Sequence, residues 1–226
     1  MRLSIIVPAL NEERTLQSVL ERVLATPHEK EVIVVDDGST DSTPAILSRL
    51  KAQHGITVIR HPGRQGKGAA LRSGFAKATG DIVIVQDADG EYQPEEYGEL
   101  IRPIERGWAD VVYGSRFVGA HRVFLFSHRL GNWAVNAVAN LLYDTTLSDL
   151  ETGFKAFRRE VLQGLGLRSK DFRIEVELTA KVFKRGFRVY EVPISYSGRS
   201  YAEGKKLTWR DGLLSLWALI DFRVRD

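Results

Sequence analysis

The chain has 226 residues, enough for one domain with a full apolar core, and no cysteine, so disulfide frameworks and thiolate metal centres are excluded, as suits a cytoplasmic protein. The net charge of +3 is uneven: from Glu151 onward 16 Lys and Arg stand against 10 Asp and Glu, and before it 16 against 19. Such a basic last third suits phosphates, an anionic membrane or plain solvation, and gives no reason to expect a nucleic acid.

In chain order, residues 3–7 form a largely β-branched apolar run, the pattern of a strand buried on both faces, broken by Pro8 and Asn11. Leu16, Val19, Leu20, Val23 and Leu24 have helical spacing. Residues 32–35 predict a second strand, running into Asp36-Asp37-Gly38-Ser39-Thr40-Asp41, where Ser39 or Asp41 is placed to cap the helix carrying Ile46, Leu47 and Leu50. Residues 56–59 predict a third strand. A Gly-rich basic loop, 63–68, and a helix through Leu71, Phe75 and Ala78 follow. Residues 82–85 predict a fourth strand, Pro94 opens a helix through Leu100 and Ile104, and residues 111–113 a fifth strand ending at Gly114-Ser115-Arg116. Short apolar strands alternating with helices define an α/β domain with a mostly parallel central sheet flanked by helices. Ligands bind such sheets beyond the carboxyl ends of the strands, and Asn11, Glu12, Asp36, Asp37, Asp87, Asp89 and Arg116 all follow predicted strands.

The chemistry concentrates at Gln86-Asp87-Ala88-Asp89-Gly90-Glu91. Carboxylates one residue apart after a buried strand are costly unless a hard divalent cation, Mg2+ or Mn2+, takes their oxygens. Asp87, Asp89 and Glu91 are the metal-ligand candidates, and the cation would hold a nucleotide diphosphate. Lys67, between Gly66 and Gly68, suits a phosphate or a plain basic turn equally.

The second half is less regular. Residues 117–130 interleave His121, Arg122, His128 and Arg129 with the apolar run 123–126; the two histidines lack a metal-ligand spacing. Residues 132–143 are helical and uncharged, well short of the roughly 20 apolar residues of a membrane span. A turn at 149–154, a helix over 175–183, a strand over 188–196 with Pro193 marking an edge or its end, and an amphipathic helix over 213–222 follow. No signal sequence is expected at the N-terminus, since Pro8 ends its short apolar run.

The motifs Val7-Pro8-Ala9-Leu10-Asn11-Glu12, Val35-Asp36-Asp37-Gly38-Ser39, Asp87-Ala88-Asp89 and Gly114-Ser115-Arg116 resemble the family 2 glycosyltransferases of GT-A fold, over nearly the whole chain. Gly153-Phe154-Lys155, Glu191-Val192-Pro193-Ile194 and Glu203-Gly204-Lys205-Lys206 resemble more narrowly the dolichyl- or polyprenyl-phosphate mannosyl- and glucosyltransferases. The resemblance implies one glycosyltransferase domain, residues 1–226, with a nucleotide-sugar-binding half, 1–116, and a C-terminal acceptor-binding half, 117–226. It implies that Pro8, Ala9, Asn11, Glu12, Val35, Asp36 and Asp37 serve the nucleoside, Asp37 by accepting from a base N–H. Asp87 and Ala88 would approach the ribose or metal, Asp89 would ligate the metal, and Arg116 would face the diphosphate. Glu91 stands where such enzymes often have Gln, and Gly90 replaces a larger residue.

The implied reaction moves mannose or glucose from GDP-mannose or UDP-glucose to a polyprenyl phosphate. Arg122, Arg129, Arg199, Lys205 and Lys206 are candidates for the acceptor phosphate. An ionised phosphate is already a nucleophile and needs positioning and charge neutralisation, not a strong base, and a single in-line displacement inverts the anomeric centre. Asp89, Arg116, Arg129 and Asp149 are the catalytic candidates; Asp149 is the base if the acceptor is a hydroxyl and otherwise holds a cation or the acceptor loop. The alternatives are transfer to a glycan or small-molecule hydroxyl and a nucleotide-binding domain without catalysis. A lipid acceptor implies contact with the cytoplasmic membrane face, or a separate anchoring subunit, through the stretches 123–126 with 132–143 and 213–222.

Overall fold

The computed structural model describes residues 1–119, 121, 126–198 and 209–225. Seven strands, β1 (Leu3–Ala9), β2 (Lys30–Asp36), β3 (Thr57–Arg60), β4 (Ile82–Val85), β5 (Val111–Ser115), β6 (Lys155–Arg158) and β7 (Val189–Pro193), form one sheet in the order β3-β2-β1-β4-β6-β5-β7. All are parallel except β6, which runs antiparallel between β4 and β5. The order reverses on either side of β1 and β4, which leaves a crevice beyond their carboxyl ends.

Strand alternation sends side chains to two cores. Leu3, Ile5, Val7, Val32, Val34, Ile82 and Ile84 face one layer of helices, α1 (Leu16–Ala25), α2 (Thr43–His54) and α4 (Tyr97–Glu105), the last entered through a 3-10 turn at Pro94–Glu96. Ile6, Ile33, Val35, Val83 and Val85 face the other, α3 (Lys67–Phe75), α6 (Arg159–Leu165) and α7 (Arg173–Lys184). Burial on both faces is why these strands read as continuous apolar runs. A third, smaller core joins α5 (Phe126–Tyr143), α7 and α8 (Trp209–Arg225) through Val135, Ala139, Val176, Ala180, Ala218 and Leu219, and it closes over Leu150.

Several elements depart from the sequence reading. Lys155–Arg158, read only as the continuation of a turn, is a central strand, and Arg159–Leu165 adds a short helix. The helix expected over 132–143 begins at Phe126. Of the two capping candidates, Asp41 accepts from the Thr43 N–H at 2.9 Å, whereas Ser39 Oγ accepts from the Asn11 N–H at 3.0 Å and ties two loops together. Pro193 ends the edge strand β7, where a missing N–H breaks no ladder.

Candidate active site

The loops after β1 and β2 are stapled to each other. Asn11 sits in the left-handed region at φ 53, a conformation Asn tolerates, and its Oδ1 accepts from the Thr40 N–H at 2.9 Å. The Glu12 N–H donates to Thr43 Oγ1 at 3.0 Å and the Glu13 N–H to Asp41 Oδ2 at 3.1 Å. Asp36 Oδ1 accepts from the Ser39 N–H at 2.8 Å. Asp37 is heavily engaged: Oδ1 meets His61 Nδ1 at 2.7 Å and the Gln65 N–H at 2.9 Å, and Oδ2 takes the Gly66 N–H at 2.7 Å. A nucleobase N–H would have to share this carboxylate. Pro8 and Ala9 lie within β1, paired with Val35 and Asp36, and the Val35 and Ala88 side chains are buried in the two cores.

The carboxylate loop after β4 meets a buried chain of charges that sequence spacing does not reveal. Lys67 Nζ lies 2.9 Å from Asp87 Oδ1, 3.0 Å from Asp87 Oδ2 and 3.2 Å from Glu175 Oε1. The other Glu175 oxygen takes Lys155 Nζ, which is fully buried and also donates to the Leu150 and Thr152 carbonyls. Burial disfavours the Lys67 charge, but Asp87 and Glu175 outweigh it and hold Lys67 above its ordinary range. Burial likewise pushes Glu175 up, and Lys155 and Lys67 more than reverse it. Burial dominates at Lys155, which falls below its usual value. The glycines flanking Lys67 serve close packing: a Cβ on Gly66 or Gly68 would lie 2.3 Å from the Lys170 carbonyl oxygen or 2.5 Å from that of Ser169.

Gly153 has a sharper requirement. A Cβ there would stand 2.3 Å from Asp87 Oδ2 and 3.1 Å from Lys67 Nζ. Gly153→Ala is therefore expected to displace Asp87 and, in the sugar transfer that the sequence resemblance implies, to cost about 100-fold in rate, the scale of a roughly 1 Å misplacement at a reacting centre. Transfer kinetics alongside a thermal melt check this; wild-type rates in a folded variant would show that Asp87 need not hold this position.

Arg116, at the end of β5, is not a surface residue. Its Nε and Nη2 bind Asp149 Oδ2 and Oδ1, each at 2.7 Å, and its backbone N–H adds a third bond to Oδ2 at 2.9 Å. Burial works against the guanidinium charge, and Asp149 more than restores it. Asp149, 0% exposed, is thus the counter-ion of Arg116 and presents no accessible oxygen to a hydroxyl acceptor. The Asp149 loop is itself held: Glu191 accepts from the Ser148 and Asp149 N–H groups, and Asn136 of α5 bonds the Ser148 carbonyl and the Leu150 N–H. Above the guanidinium lies the Tyr196 ring at 5.3 Å and the Phe117 ring at 5.8 Å, and Arg129 approaches the same Phe117 ring at 5.8 Å. Tyr196 donates to Glu91 Oε2 at 2.6 Å, and Tyr92, stacked on Phe154, accepts from the Gly153 N–H at 2.9 Å. Hydrogen bonds and ring contacts therefore link the loops after β4 and β5 with the turn that leads into β6.

The oxygen-only set Asp87, Asp89 and Glu91 has the donor chemistry of a Mg2+ or Mn2+ site. Among the described residues no three acidic or histidine side chains already converge as a metal cluster. Asp87 faces Lys67, Asp89 Oδ1 accepts from the Glu91 N–H at 3.1 Å, and Glu91 faces Tyr196. Lys67 and Tyr196 thus occupy Asp87 and Glu91, and both would have to give way for these carboxylates to take a cation. Of the acceptor candidates, Arg129 is exposed on α5; Arg122, Arg199, Lys205 and Lys206 lie outside the described residues. Sequence reasoning missed Glu175, Lys155, His61, Tyr92 and Tyr196. His61 carried a signal, since it too follows a strand, and so did Lys155, which stands in the motif Gly153-Phe154-Lys155. A basic cleft of about 480 Å³ at the far end of α7 has another explanation: Lys181, Lys184 and Arg185 there bind the carbonyls of Gly166, Phe222 and Gly164 at helix ends.

A mostly parallel sheet with acidic strand ends and a charged crevice is an α/β architecture whose ligand site lies beyond the carboxyl ends of the strands. The family model described as glycosyl transferase family 2 matches residues 4–166. The chain is 31% identical over 214 residues to the polyprenol monophosphomannose synthase of Mycolicibacterium smegmatis, covering 90% of this chain and 80% of that one. It is 30% identical to the undecaprenyl-phosphate mannosyltransferase of Micrococcus luteus, covering 91% and 87%. The dolichol-phosphate mannosyltransferase of Pyrococcus furiosus is 31% identical over 91% of this chain, which spans 59% of that longer protein. A crystal structure of glucosyl-3-phosphoglycerate synthase from Mycobacterium tuberculosis in complex with UDP superposes with a TM-score of 0.75 at 24% identity, covering 99% of this chain and 81% of that one, and shares the fold. The chain belongs to glycosyl transferase family 2 and is a glycosyltransferase.

Proposed function

We propose that this enzyme transfers a hexose from GDP-mannose or UDP-glucose to a polyprenyl phosphate, with inversion and with Mg2+ or Mn2+. The observation that carries the acceptor assignment is the buried Arg116–Asp149 pair: the carboxylate placed as a base is consumed by a cation at the site. That arrangement suits an acceptor that is already an anion. The names of the three relatives support a lipid phosphate and favour mannose as the sugar. In this reading residues 1–116 bind the donor and 117–226 the acceptor. Asp89 and Asp87, with Glu91, hold the metal; when bound, it stabilises negative charge on the departing diphosphate. Lys67 neutralises the same diphosphate. Arg116, oriented by Asp149, faces the diphosphate, and Arg129 holds the acceptor phosphate beside the sugar. A phosphate oxygen forms the bond to the anomeric carbon as the carbon–oxygen bond to the diphosphate breaks, and that electron pair leaves with the diphosphate. Incubation with labelled GDP-mannose or UDP-glucose and polyprenyl phosphate tests this. Label should enter the organic phase with inverted linkage; label found only on a water-soluble hydroxyl acceptor refutes the lipid assignment.

A lipid acceptor must be met at a bilayer. Among the described residues no helix is long and apolar enough to cross one. Helices α5 and α8 instead pack together and expose apolar side chains: Phe126 at 81%, Trp133 at 67% and Leu141 at 85%, then Leu214, Trp217 and Val224. Arg223 and Arg225 follow at the end of α8. Residues 123–125, part of the expected contact, lie outside the described residues. Interfacial aromatics with flanking cations suit an anionic leaflet, each cation contributing about 1 kcal/mol. The protein should bind anionic vesicles at low salt and release at high salt. Trp133→Ser with Trp217→Ser should weaken this binding at least tenfold and reduce lipid-phosphate transfer while leaving nucleotide affinity intact. Indifference of the wild-type protein to vesicles would assign membrane contact to a separate anchoring subunit.

A further inference from the structure

The chain Asp87–Lys67–Glu175–Lys155 alternates in sign and balances two anions with two cations inside the protein. We propose that Lys67 is a transferable counter-ion: it holds Asp87 before the donor arrives and passes to the donor diphosphate, steadied by Glu175, so that divalent cation and nucleotide diphosphate enter as an interdependent pair. This rests on the nucleotide-sugar reading above. Four features support it.

First, both Asp87 oxygens engage Lys67, at 2.9 and 3.0 Å, so Asp87 cannot serve a metal fully while Lys67 remains there. Second, charge is conserved only by paired entry. A divalent cation at Asp87 would lie against the Lys67 ammonium and repel it, and a dianionic diphosphate alone would add to the negative charge of Asp87, Asp89 and Glu91; entering together they leave the net charge unchanged. Third, Glu175 has spare capacity. Its Oε1 already lies 3.2 Å from Lys67 Nζ and has no other partner, while its other oxygen is occupied by Lys155. Lys67 therefore keeps a partner when Asp87 turns to the metal, whereas Lys155 is pinned by two carbonyls as well. Fourth, the backbone beneath Lys67 is wedged against Ser169 and Lys170 through Gly66 and Gly68. Transfer is then a side-chain rotation, which a flexible point charge accomplishes and a rigid guanidinium fork does not.

Mn2+ binding followed by electron paramagnetic resonance, without activity, tests this. For the wild-type protein, saturating GDP or UDP should tighten Mn2+ at least tenfold, and GMP or UMP should tighten it far less. Lys67→Met should raise nucleotide-free Mn2+ affinity about tenfold and shrink the coupling to the diphosphate. Glu175→Gln should lower nucleotide-free Mn2+ affinity, because Lys67 is then left to Asp87 alone. Adding Glu175→Gln to Lys67→Met should change Mn2+ affinity less than it does in the wild-type background. Wild-type Mn2+ affinity equal with and without a bound diphosphate overturns the proposal, as does a folded Lys67→Met variant with unchanged or weaker Mn2+ binding. If Lys67→Met melts early, the wild-type coupling and Glu175→Gln decide. If neither GDP nor UDP binds, the donor reading falls, and the comparison of nucleotide-free Mn2+ affinities still judges the counter-ion.

Discussion

Asp89→Ala is expected to reduce sugar transfer by about 10³-fold or more, roughly 4 kcal/mol of transition-state stabilisation, while the protein stays folded with a melting temperature close to wild type. The separation of activity from stability follows from where the residue stands. Asp89 belongs to the loop between β4 and the turn at Pro94–Glu96, partly open to solvent, and its carboxylate accepts from the neighbouring Glu91 N–H. Asp87 is different. Truncating it leaves Lys67 and Glu175 to rearrange in a buried pocket, so activity and stability fall together. Transfer assays with Mn2+ and with EDTA, run beside thermal melts, distinguish the cases. Full turnover of Asp89→Ala in EDTA would remove the metal from the reaction.

The first half of the fold was legible because its strands are buried on both faces. Ile82-Val83-Ile84-Val85 has no other stable use than a central strand, and the polar residue after each such run had to lie on one edge of the sheet. Strand β6 was not legible for the opposite reason. Lys155-Ala156-Phe157-Arg158 carries two charges in four residues, and it becomes central only because Glu175, twenty residues on and on another element, neutralises Lys155. Glu175 itself fell on the helix predicted over 175–183, where a buried carboxylate leaves no periodic trace. The start of α5 was hidden by His128 and Arg129 within its first turns. At the site, the anions were visible from spacing after strands, but their partners were not: nothing in the sequence pairs Asp37 with His61 or Gly153 with Asp87. Counter-ions are chosen by topology, and topology is what local patterns omit.

Asp149→Asn is expected to destabilise the fold by about 3–5 kcal/mol, the scale for removing one partner of a buried ion pair, because the Arg116 guanidinium stays buried without its charge partner. Transfer should fall as well, since the amide keeps one acceptor oxygen and can no longer take both Nε and Nη2 of the guanidinium. The alternative role, a general base for a hydroxyl acceptor, predicts a large loss of activity too, so activity alone does not decide. Two further measurements do. A base imposes an acid limb on the rate profile that vanishes in Asp149→Asn, whereas a positioning residue lowers the rate by the same factor at every pH. Stability gives the second: Arg116→Met removes the buried cation, and in that background Asp149→Asn should cost far less than in wild type, a coupling of about 1–3 kcal/mol in a double-mutant cycle. Additive losses in the cycle, together with loss of the acid limb, would make Asp149 the base and return the hydroxyl acceptor to first place. A strong coupling with an unchanged profile leaves Asp149 as the residue that orients Arg116.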